Sequence, residues 1–399
     1  MRFSTFTRSH IPIALMLTRL AAPALAQQTG TVARSPGVPI SARITSTTVA
    51  PVATCNAPAI AANEDSDVPL VPEMIFSRKW GELFCVRHKD GRTEQLRSDS
   101  QAMLLSADGT QGAYWVAEKH ELHVTSLASH RDEVLEASPG ATFRRMVWSA
   151  KGHTLTYFLS GAATPGIHSI DLDTGRRQVY TGSFVSLVAS PDPEHIVIVA
   201  GEGVERFGLA DGQREVLARI KFAASGEYSQ SGALLGILSN ESAATSSAPS
   251  APQAVADASG DDDTPDCTGG AFYLILQNAK TKQLVDVPMP KGFDTVLDFA
   301  FSPDDRSVAV TFGVVGCDYP GERAQIFVVS LPDLKLTAIS PENRLSVEPQ
   351  WTPDGKSLVY VDYLGSPSPL VAIDLQTRKV KRLTNPDQYF GPDKWVAWR

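Results

Sequence analysis

Six segments of one kind recur along the chain at nearly even intervals, and this recurrence restricts the fold more than any other feature. They are Ser106-Ala107-Asp108-Gly109, Ser149-Ala150-Lys151-Gly152, Ser190-Pro191-Asp192-Pro193, Ser229-Gln230-Ser231-Gly232, Ser302-Pro303-Asp304-Asp305 and Thr352-Pro353-Asp354-Gly355. The best formed lies within residues 351–362, WTPDGKSLVYVD. There an extended lead-in ends on an aromatic, Pro353 presets φ for a tight turn, Asp354 can hold the turn amides, and Gly355 supplies a positive φ where the chain reverses. Such a unit is a β-hairpin.

Successive anchors are 43, 41, 39, 73 and 50 residues apart. A period near 40 filled with short strands is that of a β-propeller blade. The long interval contains residues 241–268, an Ala/Ser/Pro-rich run ending in Asp261-Asp262-Asp263; without those 28 residues it returns to 45. That run is expected to be a disordered insert. Within each period an apolar second strand follows the anchor: 113–116, 154–159, 196–200, 233–238, 308–312 and 358–361. A third strand and a short fourth strand come next, as in 371–375 and 381–384. No stretch carries sustained helical periodicity, so the chain reads as all-β.

The two ends complete one another. Residues 74–77, 82–87 and 93–96 supply second, third and fourth strands without a first, while Lys394-Trp395-Val396-Ala397-Trp398-Arg399 reads as a first strand that stops where a turn would begin. The expectation is a propeller of seven four-stranded blades, one closed by both termini, with six or eight as the alternative counts. Closure of this kind leaves no open edge to aggregate.

Residues 73–399, with their aromatic-Ser-Pro-Asp-Gly-Lys turns, β-branched second strands and Asp-Leu-x-Thr-Gly turns, resemble the TolB-type propeller repeat, most clearly over residues 301–384. The resemblance implies a propeller of the cell envelope. TolB carries an α/β domain before its propeller, and residues 27–70 contain nothing comparable, so TolB's lipoprotein-binding role does not transfer with the repeat. Propellers that precede the hydrolase domain of prolyl-oligopeptidase-like enzymes share the repeat, and no such domain is expected here.

The first 26 residues have the layout of a secretory signal: Arg2 and Arg8 in front, an apolar centre at 11–17, and Ala24-Leu25-Ala26 before Gln27. No run approaches the length of a membrane-spanning helix. The mature protein is therefore expected to be exported, periplasmic or extracellular. Residues 27–72 form a linker too poor in large apolar groups to fold. An apolar fraction of 43% is enough for a sizeable core in the remainder. The net charge of −8 falls to −11 once Arg2, Arg8 and Arg19 leave with the signal. That sign disfavours nucleic acid and anionic lipid as partners.

Catalytic signatures are missing: there is no Gly-x-Ser-x-Gly and no His-Glu-x-x-His, and no cofactor or metal is predicted. His120 and His123 are read as lying on one strand with opposite faces, unable to chelate one ion. His123 and His168, at equivalent blade positions, read as packing or surface residues. The turn aspartates Asp108, Asp192, Asp304 and Asp354 are accounted for by turn hydrogen bonds, and Trp148, Tyr228, Phe301, Trp351 and Trp398 by packing between blades. Asp261-Asp262-Asp263 lacks the alternating spacing of a calcium loop.

One constellation points to binding. Four residues before each turn stand Ala102, Arg145, Ser186, Ser225, Asp298, Glu348 and Trp395. On first strands lining a channel they would ring its mouth, on the side where the insert and the loop 313–321 emerge. Arg145, Asp298, Glu348 and Trp395 are the candidate site for a protein, peptide or small-molecule ligand. The chain is thus read as a non-enzymatic interaction module of the envelope. A hydrolase-type or metal-dependent enzyme with its site in the channel, and a structural envelope component, are the alternative classes.

Four cysteines in an exported chain allow two disulfides. Cys267 and Cys317 fall in corresponding loops of neighbouring blades and are paired on that ground, which leaves Cys55 to Cys85. Non-reducing peptide mapping of exported protein should recover the Cys267–Cys317 peptide; Cys267 found free or joined elsewhere refutes the adjacent-blade register of the insert.

Overall fold

The computed structural model describes residues 74–383 and 396–398, with breaks at 79–82, 88–92, 98–100, 127–128, 130, 150, 163–164, 182–183, 201–202, 244–270, 315–322, 332, 343 and 364–368. These residues form seven four-stranded antiparallel sheets. Blade 1 consists of Val396–Trp398 beside Met74–Arg78, Leu83–Arg87 and Thr93–Arg97. Blades 2 to 7 occupy residues 101–137, 142–180, 186–219, 223–286, 295–338 and 345–382 in chain order. Among the described residues the only helical turn of note is the 3-10 turn Ala117–Lys119.

Blade 1 draws on both ends of the chain. Met74 lies opposite Trp398, Ile75 opposite Ala397 and Phe76 opposite Val396. Elsewhere the first strands of successive blades lie against one another: Gln101–Leu105 against Thr142–Trp148, Ser186–Val188 against Ala223–Tyr228, and Thr295–Phe301 against Leu345–Trp351. The first strand is therefore the inner one.

Each of the six anchor turns uses its leading hydroxyl as a hydrogen-bonding group, which explains why each begins with Ser or Thr. In blade 7, Thr352 Oγ1 donates to Asp354 Oδ1 (2.7 Å) and accepts from the Ser357 amide (3.0 Å), while the Lys356 amide donates to Asp354 Oδ1 (3.1 Å). Ser106 with Asp108, and Ser302 with Asp304, repeat the pattern. Blade 5 lacks the aspartate, and its turn is completed from the next blade. Asp305 accepts from Ser229 Oγ (3.1 Å) and from the amides of Gln230 (2.9 Å) and Ser231 (3.0 Å). Asp305 does this with φ at +57°, where blade 7 uses Gly355.

The core is a series of seams between sheets. Ala113, Trp115 and Leu122 of blade 2 meet Leu155, Tyr157 and Leu159 of blade 3. Val197, Val199 and Val204 meet Leu235, Ile237 and Ile275, and Leu238 and Leu274 meet Val308, Val310 and Phe312. Burying such side chains contributes about 1.5–3 kcal/mol each. Two tryptophans before the turns bridge seams as the sequence predicts: Trp148 Nε1 donates to Leu104 O and Trp351 Nε1 to Ala300 O, both at 2.9 Å and both into the preceding blade.

The histidines differ from expectation in detail. His120 is not on the strand; it closes the 3-10 turn with φ at +53°, and its Nδ1 meets Ala141 O at 2.9 Å. A turn ends the strand there because Glu121–Ser126 begins only after it. His123 and His168 are both buried, stacked on Tyr114 and Tyr157 respectively. His123 is also held between Asp132 (2.9 Å) and Glu121 (3.0 Å).

Of the disulfide candidates, Cys85 is described only by its strand position, opposite Phe76. Cys55, Cys267 and Cys317 lie outside the described residues, as do the signal, the linker, Asp261-Asp262-Asp263 and most of the insert.

His153 joins blades 2 and 3, its Nδ1 on Asp173 (2.8 Å) and its Nε2 on Asp108 (3.0 Å). The bond to Asp173, with that to Asp108, raises the His153 pKa above its usual 6.5 against the opposing effect of burial. A raised folded-state value makes this contribution complete below about pH 6.5 and removes it as pH rises through the folded pKa. Thermal melts should show stability falling between mildly acidic and alkaline pH more steeply in the wild type than in His153→Gln. Deletion of residues 395–399 removes the strand paired to Met74–Arg78 and should lower the melting temperature by more than about 5 °C or cause aggregation. An unchanged melt would refute closure by the C-terminal strand.

Candidate functional site

In blades 2, 3, 5, 6 and 7 the position four residues before the turn lies at a backbone irregularity that sequence alone does not show. Register shifts occur in the first strands between Gln101 and Leu104, Phe143 and Met146, Ala223 and Ser225, Val296 and Asp298, and Val347 and Gln350. A bulge at this place turns side chains away from the regular alternation, a device common beside binding sites. Arg145 stands in such a bulge in blade 3 and is exposed; Asp298 follows one in blade 6, opposite Thr311, and is half-buried. Glu348 stands in the bulge of blade 7. Trp395 lies outside the described residues.

Glu348 departs from the expected channel-facing exposure. It is 4% exposed and adopts a φ of +58° immediately before Pro349. A residue before proline is pushed toward extended backbone, and a left-handed conformation costs a non-glycine residue about 1–2 kcal/mol. Strain of this kind is held only where surrounding structure enforces it, and it concentrates at functional sites. The bulge swings the carboxylate into the protein.

Next to Glu348 in the blade 7 register stand polar groups absent from the sequence-derived ring, and Asp298 of that ring lies on the adjoining blade. Asp362, at the end of the second strand of blade 7, is 2% exposed and forms an ion pair with Arg344, just before the first strand. Ser346 lies directly opposite Asp362 and is buried. Tyr360 precedes Asp362 on the same face, and burial, followed by the charge of Asp362, raises its phenol pKa well above the usual value. Asp298 and Thr311 come from blade 6. The first strands of blades 6 and 7 adjoin, so this end of their seam carries three carboxylates, three hydroxyls and one guanidinium. Arg145, on blade 3, is not adjacent in the blade order.

One signal for Asp362 was in the sequence. Its equivalents ten residues after the other anchors are Val116, Leu159, Ala200, Ser239 and Phe312, and an acid at a position otherwise apolar or small marks a departure from the repeat. Among the described residues no group of three His, Cys, Asp or Glu side chains is arranged to hold a metal ion. A second concavity, a groove of ≈ 250 Å³ between blades 3 and 4, is lined by Thr154, Ser169, Asp171, Arg176, Gln178 and Leu209 among others. Arg176 and Gln178 both donate to Leu209 O, so donors there already serve the fold.

No protein-family model and no curated protein matches the chain. Among solved structures it is similar to the β-propeller domain of the Trilobed protease from Pyrococcus furiosus, at 12% identity over 79% of this chain and 99% of that one, with a TM-score of 0.54. The chain is a β-propeller. An oligogalacturonate lyase in complex with manganese is similar at 13% identity over 81% of this chain and 88% of its own length, with a TM-score of 0.53. A TolB from Acinetobacter baumannii matches at 13% identity over 79% of each chain, with a TM-score of 0.44. The Pyrococcus domain has an open velcro topology, whereas in this propeller the last strand pairs with the first complete one. Among the described residues no helix is long and apolar enough to cross a membrane.

The pairing of Arg344 with buried Asp362 gives a sharp test of the site's construction. Removing one partner of a buried pair leaves the other charge uncompensated. Because Arg344 is partly exposed, Arg344→Ala should cost about 2 kcal/mol rather than the full penalty. Combining it with Asp362→Leu, the residue blade 3 carries at the equivalent position, should recover most of that loss in denaturant unfolding. Additive losses in the double variant would show that the two side chains do not compensate one another.

Proposed function

We propose that this protein is an exported, TolB-like propeller that binds a protein or peptide partner at the channel mouth of blades 6 and 7, as a non-enzymatic module of the cell envelope. The observation that carries this reading is Glu348: a buried carboxylate held on a strained, pre-proline bulge next to the Ser346–Asp362 strand pair of blade 7. Ordinary strand packing does not require a left-handed, pre-proline acid at this position, where blades 2 to 6 carry Ala102, Arg145, Ser186, Ser225 and Asp298. The export arm rests on the N-terminal signal layout, and the envelope arm on the resemblance of the repeat.

The mature protein used as bait in its native envelope extract should capture a defined partner. Arg145→Glu and Asp298→Lys, at exposed and half-buried positions, and Glu348→Gln, isosteric because the site is buried, should keep the wild-type melting temperature within a few degrees. Asp298→Lys and Glu348→Gln should weaken capture. Undiminished capture by all three variants would move the site off the mouth.

A further inference from the structure

The seam between blades 6 and 7 ends at the mouth in polar atoms that the fold leaves without hydrogen bonds. Asp362 Oδ1, Ser346 Oγ and Thr311 Oγ1 each have no hydrogen-bond partner, on residues that are 2%, 0% and 0% exposed. Ser346 and Asp362 are opposite one another across adjacent strands, so their side chains leave the sheet on one face. Leu358 and Tyr360 share that face of the second strand and pack against Ala300, Ala309 and Ile326 of blade 6. Thr311 stands two residues beyond Ala309 on its strand, hence on the facing wall. The three atoms belong to the two sides of one seam.

Buried polar atoms in folded proteins are almost always satisfied, and each exception calls for an explanation. Solvent does not reach these three in the closed seam, so their desolvation is uncompensated there. A group that brings donors into the seam gains what the closed form lacks. We propose that this seam is a cryptic site for a primary ammonium group, which the partner assigned above to the mouth inserts between blades 6 and 7; the inference rests on that reading.

The ligand class follows from counting. A carboxylate oxygen and two hydroxyl oxygens offer three acceptors, and an ammonium has three N–H donors and no acceptor. Calcium takes six to eight oxygens, more than this set supplies. Arg344 occupies the other oxygen of Asp362 and fixes the carboxylate while Oδ1 is left for the ligand. The ammonium could come from a lysine side chain or from a chain's amino terminus, which present the same three donors.

Calorimetric titration of the full mature protein distinguishes the sources. Nα-acetyl-lysine amide carries only the side-chain ammonium, norleucine amide only the α-ammonium, and Nα-acetyl-norleucine amide neither. One of the first two should bind and the last should not. Ser346→Ala and Thr311→Val should each weaken that binding about tenfold, the loss of one hydrogen bond, with a melting temperature equal to or above the wild type because each removes an unsatisfied hydroxyl. Amide hydrogen exchange at residues 345–347 and 361–363 should slow when the probe is bound. Equal binding of Nα-acetyl-norleucine amide, displacement of the probe by millimolar calcium chloride, or unchanged affinity in both variants would each overturn the assignment. Partner capture that is lost in Asp298→Lys while neither ammonium probe binds overturns the ammonium site and leaves the binding-module reading in place. Probe binding with capture unaffected by every mouth variant does the reverse.

Discussion

The described residues of blades 2 to 7 depend on sheets that present apolar side chains to the neighbouring blades. A sheet of that kind cannot rest one face on solvent as a hairpin or sandwich strand does, and it cannot be stable alone. It must have a neighbour on each side, and a row of such sheets satisfies the condition throughout only if it closes on itself. The seams of Val197 with Ile237, Leu238 with Val310, and Ala309 with Tyr360 are the local expression of that requirement. Pairing of Val396–Trp398 with Met74–Arg78 supplies its covalently discontinuous link.

The same requirement explains why function, where it departs from structure, shows as polarity inside a seam. Apolar burial is the default, so a buried Asp362 or Glu348 destabilises the fold unless something offsets it. His123 illustrates the offset case: an imidazole between Asp132 and Glu121, stacked on Tyr114, forms a network with its partners in place. The blade 6–7 seam illustrates the other case, in which Arg344 satisfies one oxygen of Asp362 and the opposite atoms have no partner. Asp362, Ser346 and Thr311 stand in regular strand pairing, so the contrast comes from the residue types that the facing strands carry, while the bulge between Val347 and Gln350 sets only Glu348 outside the alternation.

Exchange between blades also compensates for imperfect repeats. Blade 5 lost the turn aspartate, and Asp305 of blade 6 serves in its place from a left-handed backbone. His153 ties the turn aspartate of blade 2 to the outer turn of blade 3 in a similar way. Such compensation lets turn sequences drift while the ring persists, since a turn needs an acceptor at the right point in space and not at a particular place in the chain.

The elements and their order are written in the chain. Ser/Thr-x-Asp-Gly turns act through hydrogen bonds within six residues, and period-two apolar strands declare their faces locally, so hairpins, spacing and the pairing of both ends are legible in the residues alone. The candidate ring was legible only in part. Arg145, Asp298 and Glu348 were found by counting back from the turns, but the count assumes regular alternation, and the bulges break it; Glu348 is consequently buried where exposure was expected. Asp362, Ser346 and Thr311 come together from two blades, Asp305 caps a turn 75 residues away in sequence from Gln230, and neither meeting has a local signature. These meetings arise in the folded ring, because which side chains face one another across a seam depends on how neighbouring sheets are stacked and bulged, a relation the chain does not encode at any single position.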